Sequence, residues 1–241
     1  MQLQNFLKKN TEHILSNTDL ITKSDNPMLT EAIKCARTNL LYSLADTEGG
    51  KCIVITSCLA AEGKTTTCIN LAVSLAQTEA RVLLIDADLR RPRMHTYLDV
   101  KNKAGLANYL GGFCDLDAII HRIDDLNLDY ITAGDLPPNP AELLSTHKIE
   151  NFITTVKERY DYILFDTPPM NLVTDATALV RLVENTILIC KCGVTITSEI
   201  KKALNRLEFV NAKILGFITI NQQCSKRKLK DYSGYYRYQE S

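Results

Sequence analysis

The feature that most constrains the fold is a regular alternation of short apolar runs with longer helical stretches after residue 50. Six apolar runs predict β-strands: Cys52–Ser57, Val82–Asp86, Leu128–Ile131, Tyr162–Asp166, Thr186–Lys191 and Ile214–Ile220. Helical spacing between them predicts helices near residues 64–79, 104–121, 141–159, 173–183 and 197–210. Nearly continuous apolar strands separated by helices form a parallel sheet that is covered on both faces. The sequence therefore predicts an α/β fold of this kind.

The remaining segments flank this pattern, and the 241 residues suit one sizeable α/β domain. Residues 1–46 are predicted to be an N-terminal arm followed by a helix, since the stretch from Met28 to Ala45 has helical spacing. Residues 47–221 form the predicted core. Residues 222–241, named the tail here, are basic and tyrosine-rich, and are predicted to be a flexible extension.

Composition excludes several classes of protein. The formal net charge is zero, from 28 basic and 28 acidic residues, so no overall positive field favours nucleic acid as a partner. No apolar stretch approaches the ~20 residues that a membrane-spanning helix needs. The N-terminal residues carry charges throughout, which argues against a signal peptide. A cytoplasmic location, with the eight cysteines as thiols, is the resulting expectation.

A phosphate-binding loop is predicted where the first strand meets the first core helix. Gly63-Lys64-Thr65 lies in this strand–loop–helix context, although Cys58 replaces the first glycine of the usual pattern. Backbone N–H groups would hold phosphate oxygens, Lys64 would reach the β- and γ-phosphates, and the Thr65 hydroxyl would bind Mg²⁺. An ordinary strand–helix turn is the alternative. The predicted nucleotide-binding residues of the loop are Ala61, Glu62, Gly63, Lys64, Thr65 and Thr66.

Acidic side chains follow two further predicted strands. Asp86 and Asp88 come at the end of one strand, and Asp166 ends another, before Pro168 and Pro169. Ligands bind at the carboxyl ends of strands in open parallel sheets. Each acid alone is compatible with a solvated strand end. Together with the phosphate loop, they place three carboxylates near one Mg²⁺–phosphate group.

With these motifs the chain closely resembles the bacterial tyrosine kinases (BY-kinases) of capsule and exopolysaccharide assembly, which have a P-loop NTPase-like fold. The matching motifs are the Walker A loop around Gly63-Lys64-Thr65, the Walker A′ segment Leu83–Arg90 and the Walker B segment Ile163–Pro169. The family's terminal cluster of tyrosines has its counterpart in Tyr232, Tyr235, Tyr236 and Tyr238.

The resemblance implies an ATP-dependent protein-tyrosine kinase that phosphorylates these four tail tyrosines in trans. It implies Mg²⁺ held by Thr65, Asp86, Asp88 and Asp166, and catalysis by Lys64, Asp86 and Asp88. Asp86 is the preferred base, because a carboxylate near the phenol can accept its proton. Asn221, after the last strand, is expected to contact the adenine; the alternative is a turn residue that ends the strand.

The resemblance also implies partners. Glu31, Lys34 and Arg37 are similar to the family's E-x-x-R-x-x-R oligomerisation motif, with lysine in the middle, and lie on one helical face. They predict a ring of unphosphorylated copies, or alternatively a solvated charged stripe. The family pattern adds a transmembrane activator (a polysaccharide co-polymerase), which would hold the chain at the inner face of the membrane, and a tyrosine phosphatase. No nucleic acid partner is implied.

One departure from the family concerns the phosphate loop. Ala60-Ala61 stands where the family often has Pro-Gly. If the backbone at residue 61 requires positive φ, alanine costs about 1–2 kcal/mol relative to glycine. The alternative is that the loop uses a conformation that alanine adopts without strain.

Two other functions compete with the kinase as interpretations of the sequence. A partitioning or cell-division ATPase carries an extra lysine early in the loop, where this chain has Leu59, and lacks a terminal tyrosine cluster. A nucleotide-binding scaffold without kinase activity is the second rival, and the complete set of motif residues argues against it.

The tail has a charge of plus three, which four phosphates at about −1.5 to −2 each would reverse, so ring dissociation on phosphorylation is expected.

Overall fold

The computed structural model describes residues 20–22, 26–183 and 185–221, and within them a seven-stranded sheet. The strands lie in the order β3-β4-β2-β5-β1-β6-β7, and every neighbouring pair is parallel except β3 with β4. Their bounds are β1 (Lys51–Ser57), β2 (Val82–Asp86), β3 (His121–Ile123), β4 (Leu128–Ile131), β5 (Tyr162–Asp166), β6 (Asn185–Lys191) and β7 (Lys213–Ile220). The predicted mostly parallel α/β fold is confirmed.

Helices cover both faces of this sheet. In the described part of the chain they are α1 (Pro27–Ser43), α2 (Lys64–Ala76), α3 (Met94–Leu98), α4 (Leu106–Leu110), α5 (Pro140–Leu143), α6 (His147–Arg159), α7 (Asp175–Val183) and α8 (Thr197–Phe209). Short 3₁₀ turns occur at Leu116–Ala118 and Asp124–Leu126. None of these helices is both long and apolar enough to cross a bilayer.

Two apolar cores result from the alternation of side chains along the buried strands. In β1, Val54 contributes to the core under α6 and α7, whereas Ile53 and Ile55 contribute to the core under α2. Successive strand residues point to opposite faces, so a strand buried on both sides must be apolar throughout. This requirement explains the continuous apolar runs and fixes where each strand's carboxyl end emerges.

The largest departure from the predicted elements lies in residues 104–121. The expected single helix is instead the five-residue α4, followed by a 3₁₀ turn, and strand β3 begins at His121. Gly112 has φ +84°, which a continuing α-helix does not allow, so the chain turns there. The helix predicted over 141–159 is likewise divided into α5 and α6.

Candidate active site

The loop between β1 and α2 places its glycine where a residue with a side chain would be strained. Gly63 has φ +74° and precedes the first residue of α2. A Cβ atom at this position would lie 2.4 Å from Cδ1 of Ile220, at the end of β7. Gly63 therefore lets the loop turn into α2 while packing closely against the neighbouring strand end, which leaves the first backbone N–H groups of α2 free of helical partners.

Ala61, two residues earlier, also has a left-handed backbone. Its φ is +59°, so of the two conformations that the sequence leaves open at this position, the structure has the left-handed one. Alanine pays a steric penalty in this region that glycine does not. The loop therefore carries conformational strain that its own sequence does not relieve.

Replacing Ala61 by glycine is expected to raise the free energy of unfolding by about 1 kcal/mol, because it removes that penalty. For a chain of this size the melting temperature should rise by about 2–4 °C, measured by thermal denaturation. The neighbouring Ala60→Gly is the matched control: Ala60 is exposed and lies outside the positive-φ region, so glycine there should lower stability. A rise of equal size in both variants would contradict the assignment of strain to residue 61.

Lys64, the first residue of α2, lies at the centre of the site. Its Nζ is 2.5 Å from Oδ1 of Asp166 and 3.9 Å from Oδ2 of Asp88. The hydroxyl of Thr65 donates to the other oxygen of Asp166 over 2.7 Å. The arrangement of strand, loop and helix thus brings an ammonium, a hydroxyl and two carboxylates into one cluster.

Asp86 and Asp166 are brought together by strand register. They are paired positions at the carboxyl ends of the adjacent parallel strands β2 and β5, and both are buried. Asp86 accepts hydrogen bonds from the backbone N–H groups of Asp88 and Met94, each over 3.2 Å. The chain turns directly after β2, so these amides point back at the carboxylate and fix its orientation.

Burial and the charges of this cluster shift the pKa values of Asp86, Asp88 and Lys64. Burial raises the pKa of Asp86, and the charge of Asp166 raises it further, although Lys64 opposes both. Burial likewise raises the pKa of Asp88. Burial by itself would lower the pKa of Lys64, but the nearby carboxylates outweigh this effect and raise it. Strongly perturbed ionisable groups that share one cleft are typical of functional sites.

The chemistry of these side chains fits Mg²⁺ bound together with a phosphate. No group of three His, Cys, Asp or Glu residues within the described ranges forms a complete metal cage. Mg²⁺ commonly uses only one or two carboxylates and completes its shell with phosphate oxygens and water. The Thr65 hydroxyl and the Asp166 carboxylate, already in contact, are ligands of this type. A cation would also favour the charged forms of Asp86 and Asp88.

An ion pair between a buried aspartate and a more exposed arginine at this edge was not predicted from the sequence. Asp175, the first residue of α7, is fully buried, and its two oxygens accept hydrogen bonds from Arg90 Nε and Nη2 over 2.7 and 3.0 Å. The pair joins the segment after β2 to the segment after β5. A lone acid at the start of a helix gives no signal of such a partner in the sequence, because Arg90 lies 85 residues away.

The remaining predicted site residues lie on other elements of the structure or outside the described residues. Asn221 follows β7 with φ +57° and is exposed, which suits a residue that ends the strand; its role toward adenine stays a prediction. On α1, Lys34 is exposed, while Arg37 donates to the carbonyl oxygen of Ser74 on α2 over 2.7 Å. Glu31 is half-buried. The four predicted phosphorylation sites, Tyr232, Tyr235, Tyr236 and Tyr238, lie outside the described residues.

Fold and site together define a P-loop nucleotide-binding protein. A sequence profile described as an AAA domain matches residues 50–220. The tyrosine-protein kinase YwqD of Bacillus subtilis is 34% identical over 228 residues, covering 95% of this chain and 96% of YwqD. The tyrosine-protein kinase etk of Escherichia coli is 33% identical over 90% of this chain, which spans 30% of etk.

A solved structure gives the same result in three dimensions. The kinase domain of Escherichia coli ETK superposes with a TM-score of 0.81 at 33% identity, covering 88% of this chain and 82% of that domain. The chain therefore belongs to the bacterial tyrosine-protein kinases, and the resemblance noted from its motifs is confirmed.

Proposed function

We propose that this member of the tyrosine-protein kinases transfers the γ-phosphoryl group of ATP to tyrosines of its own tail, chiefly between copies. The observation that carries the proposal is the cluster at the carboxyl ends of β2 and β5, where Lys64 and Thr65 meet buried carboxylates. Phosphoryl transfer requires mainly positioning and neutralisation of charge, and these residue types supply both.

Each side chain has a role in this step. The phenol oxygen of the acceptor tyrosine forms the new bond to the γ-phosphorus while the bond to the β-phosphate oxygen breaks and ADP leaves. The phenol proton passes to the carboxylate of Asp86, whose raised pKa suits a base that works near neutral pH. Lys64 neutralises charge on the phosphates. Mg²⁺ would supply further neutralisation, with Thr65, Asp86, Asp88 and Asp166 as the candidate ligands.

The length of the tail supports transfer between copies. Twenty residues follow Asn221, and an extended chain spans at most about 3.3–3.6 Å per residue, which gives roughly 70 Å. That reach is enough for the site of an adjacent protomer in a ring built through Glu31, Lys34 and Arg37. Phosphorylation would reverse the positive charge of the tail and favour dissociation of the ring.

The proposed setting is regulation of capsular or exopolysaccharide synthesis and export. By its likeness to the family, the chain would act at the inner face of the membrane through a transmembrane co-polymerase that activates it. A tyrosine phosphatase would return the tail to its unphosphorylated state. Charge supports this setting over nucleic acid binding, since the chain as a whole is neutral.

The test is incubation of the full chain with ATP and Mg²⁺, with and without the cytoplasmic segment of the activator, followed by mass spectrometry of the tail. We expect phosphate on Tyr232–Tyr238 in the wild type. Lys64→Met should lower the labelling rate by at least about 10²-fold, because it removes the cation that neutralises the transferred group.

Lys103→Met is the matched control, since Lys103 is exposed and lies outside the cluster. It should label at the wild-type rate. An unmodified tail in the wild type under every condition, or equal labelling in Lys64→Met, would overturn the proposal.

A further inference from the structure

A buried carboxylate lies inside the phosphate loop itself, and the proposed chemistry does not use it. Glu62, between the left-handed residues Ala61 and Gly63, has an exposed fraction of only 1%. No lysine, arginine or histidine in the described part of the chain forms a salt bridge with it. A buried charge without an ionic partner must be stabilised by hydrogen bonds, and those of Glu62 are specific.

One oxygen of Glu62 holds the loop's own backbone. Oε2 accepts a hydrogen bond from the N–H of Leu59 over 2.7 Å, across the turn that contains Ala61. This contact closes the loop on itself.

The other oxygen of Glu62 connects the loop to the turn between β6 and α8. Oε1 accepts the hydroxyl proton of Thr195. The same hydroxyl accepts from the backbone N–H of Lys191 over 2.8 Å, and the N–H of Thr195 donates to the carbonyl of Lys191 over 2.9 Å. Because the Thr195 hydroxyl donates its proton to Glu62 and accepts a hydrogen bond from the N–H of Lys191, it has one fixed orientation.

We propose that Thr195 and Glu62 are positioning residues that hold the phosphate loop in its nucleotide-binding conformation. The loop has two left-handed residues and carries strain at Ala61, so it requires external support to keep its backbone N–H groups aimed at the phosphates. The support comes from the turn after β6 through Thr195, and from β7 through the contact of Ile220 with Gly63. The inference rests on the proposed function only in taking the loop to bind nucleotide.

The test compares two substitutions at residue 195 by the Kd of a fluorescent ADP analogue. Thr195→Val keeps the shape and removes the hydroxyl, and it should weaken binding about 10-fold, the size expected for loss of a hydrogen bond to a charged group. Thr195→Ser retains the hydroxyl and should restore affinity to within about threefold of the wild type. Thr154→Val on α6 makes the same change at an exposed threonine and is the control.

A double substitution separates positioning from general stability. Glu62→Ala should weaken ADP binding by at least as much as Thr195→Val, and combining the two should add nothing, because Thr195 acts through Glu62. Melting temperatures are measured alongside. A Thr195→Val protein that melts earlier but binds ADP with unchanged Kd, or a double variant whose effects add fully, would overturn the proposal.

These outcomes are independent of the tyrosine kinase reaction. The measured quantity is nucleotide affinity, and no acceptor tyrosine takes part in it. Failure of tail phosphorylation in the wild type would overturn the proposed function and leave this result intact. If Thr195→Val does not fold, Glu62→Ala with the same ADP titration decides the question.

Discussion

Replacement of Asp86 by asparagine is expected to lower the rate of tail phosphorylation by at least about 10²-fold, the usual size of a general-base contribution. Asparagine has the shape of aspartate but cannot accept the phenol proton. The variant should still bind ADP without Mg²⁺ at least as tightly as the wild type, because asparagine, unlike aspartate, carries no charge that could repel the phosphates at any pH. Single-turnover labelling and ADP titration measure the two effects separately.

Asp99→Asn is the control for that prediction. Asp99 is exposed and has φ +57°, a conformation that asparagine adopts as readily as aspartate. The same change of charge and chemistry there should leave both the labelling rate and the affinity unaltered. A labelling rate for Asp86→Asn within about twofold of the wild type would exclude Asp86 as the base.

Replacement of Gly105 by alanine is expected to lower the free energy of unfolding by about 3 kcal/mol, and the melting temperature by about 6–12 °C. A Cβ atom on Gly105 would lie 2.2 Å from the carbonyl oxygen of Thr132 and 2.5 Å from the backbone nitrogen of Gly134. Neither atom belongs to a flexible side chain. The start of α4 would therefore have to separate from the segment directly after β4, to which Leu106 and Ala107 donate backbone hydrogen bonds.

Gly216 supplies the matched comparison. It lies in the edge strand β7, and a Cβ atom there would meet nothing within 4 Å. Alanine at residue 216 should change the melting temperature by less than about 2 °C. A similar loss of stability in both variants would show that the response comes from glycine's backbone freedom and not from the close approach at residue 105.

The strands that carry the site could be predicted from the sequence because burial on both faces leaves an unambiguous pattern. The structure gives Val82–Asp86 and Tyr162–Asp166 the predicted bounds, and their carboxyl ends bring Asp86 and Asp166 together as paired residues. Strand β3 was missed because it has only three residues, and two of them, His121 and Arg122, are exposed. An edge strand of this kind lacks the apolar run that identifies its neighbours.

The contacts that support the site could not be predicted from the sequence, because their partners lie far apart in the chain. Thr195 contacts Glu62 across 133 residues of chain, and Arg90 contacts Asp175 across 85. Local pattern determines which segment is a strand or a helix, whereas such pairs depend on how the loops at one edge of the sheet are arranged. Ala61 is an intermediate case, since the departure from glycine is visible in the sequence but the backbone angle is not.

The contact between Lys64 and Asp166 has a consequence for nucleotide affinity. The ammonium group has an anionic partner within the protein, 2.5 Å away. A phosphate that binds Lys64 competes with that partner for the same ammonium group, so the observed affinity measures the difference between two ion pairs and not the strength of one. Asp166 is in this sense an internal competitor of the nucleotide, and a cation that occupies the carboxylate would release Lys64 to the phosphates.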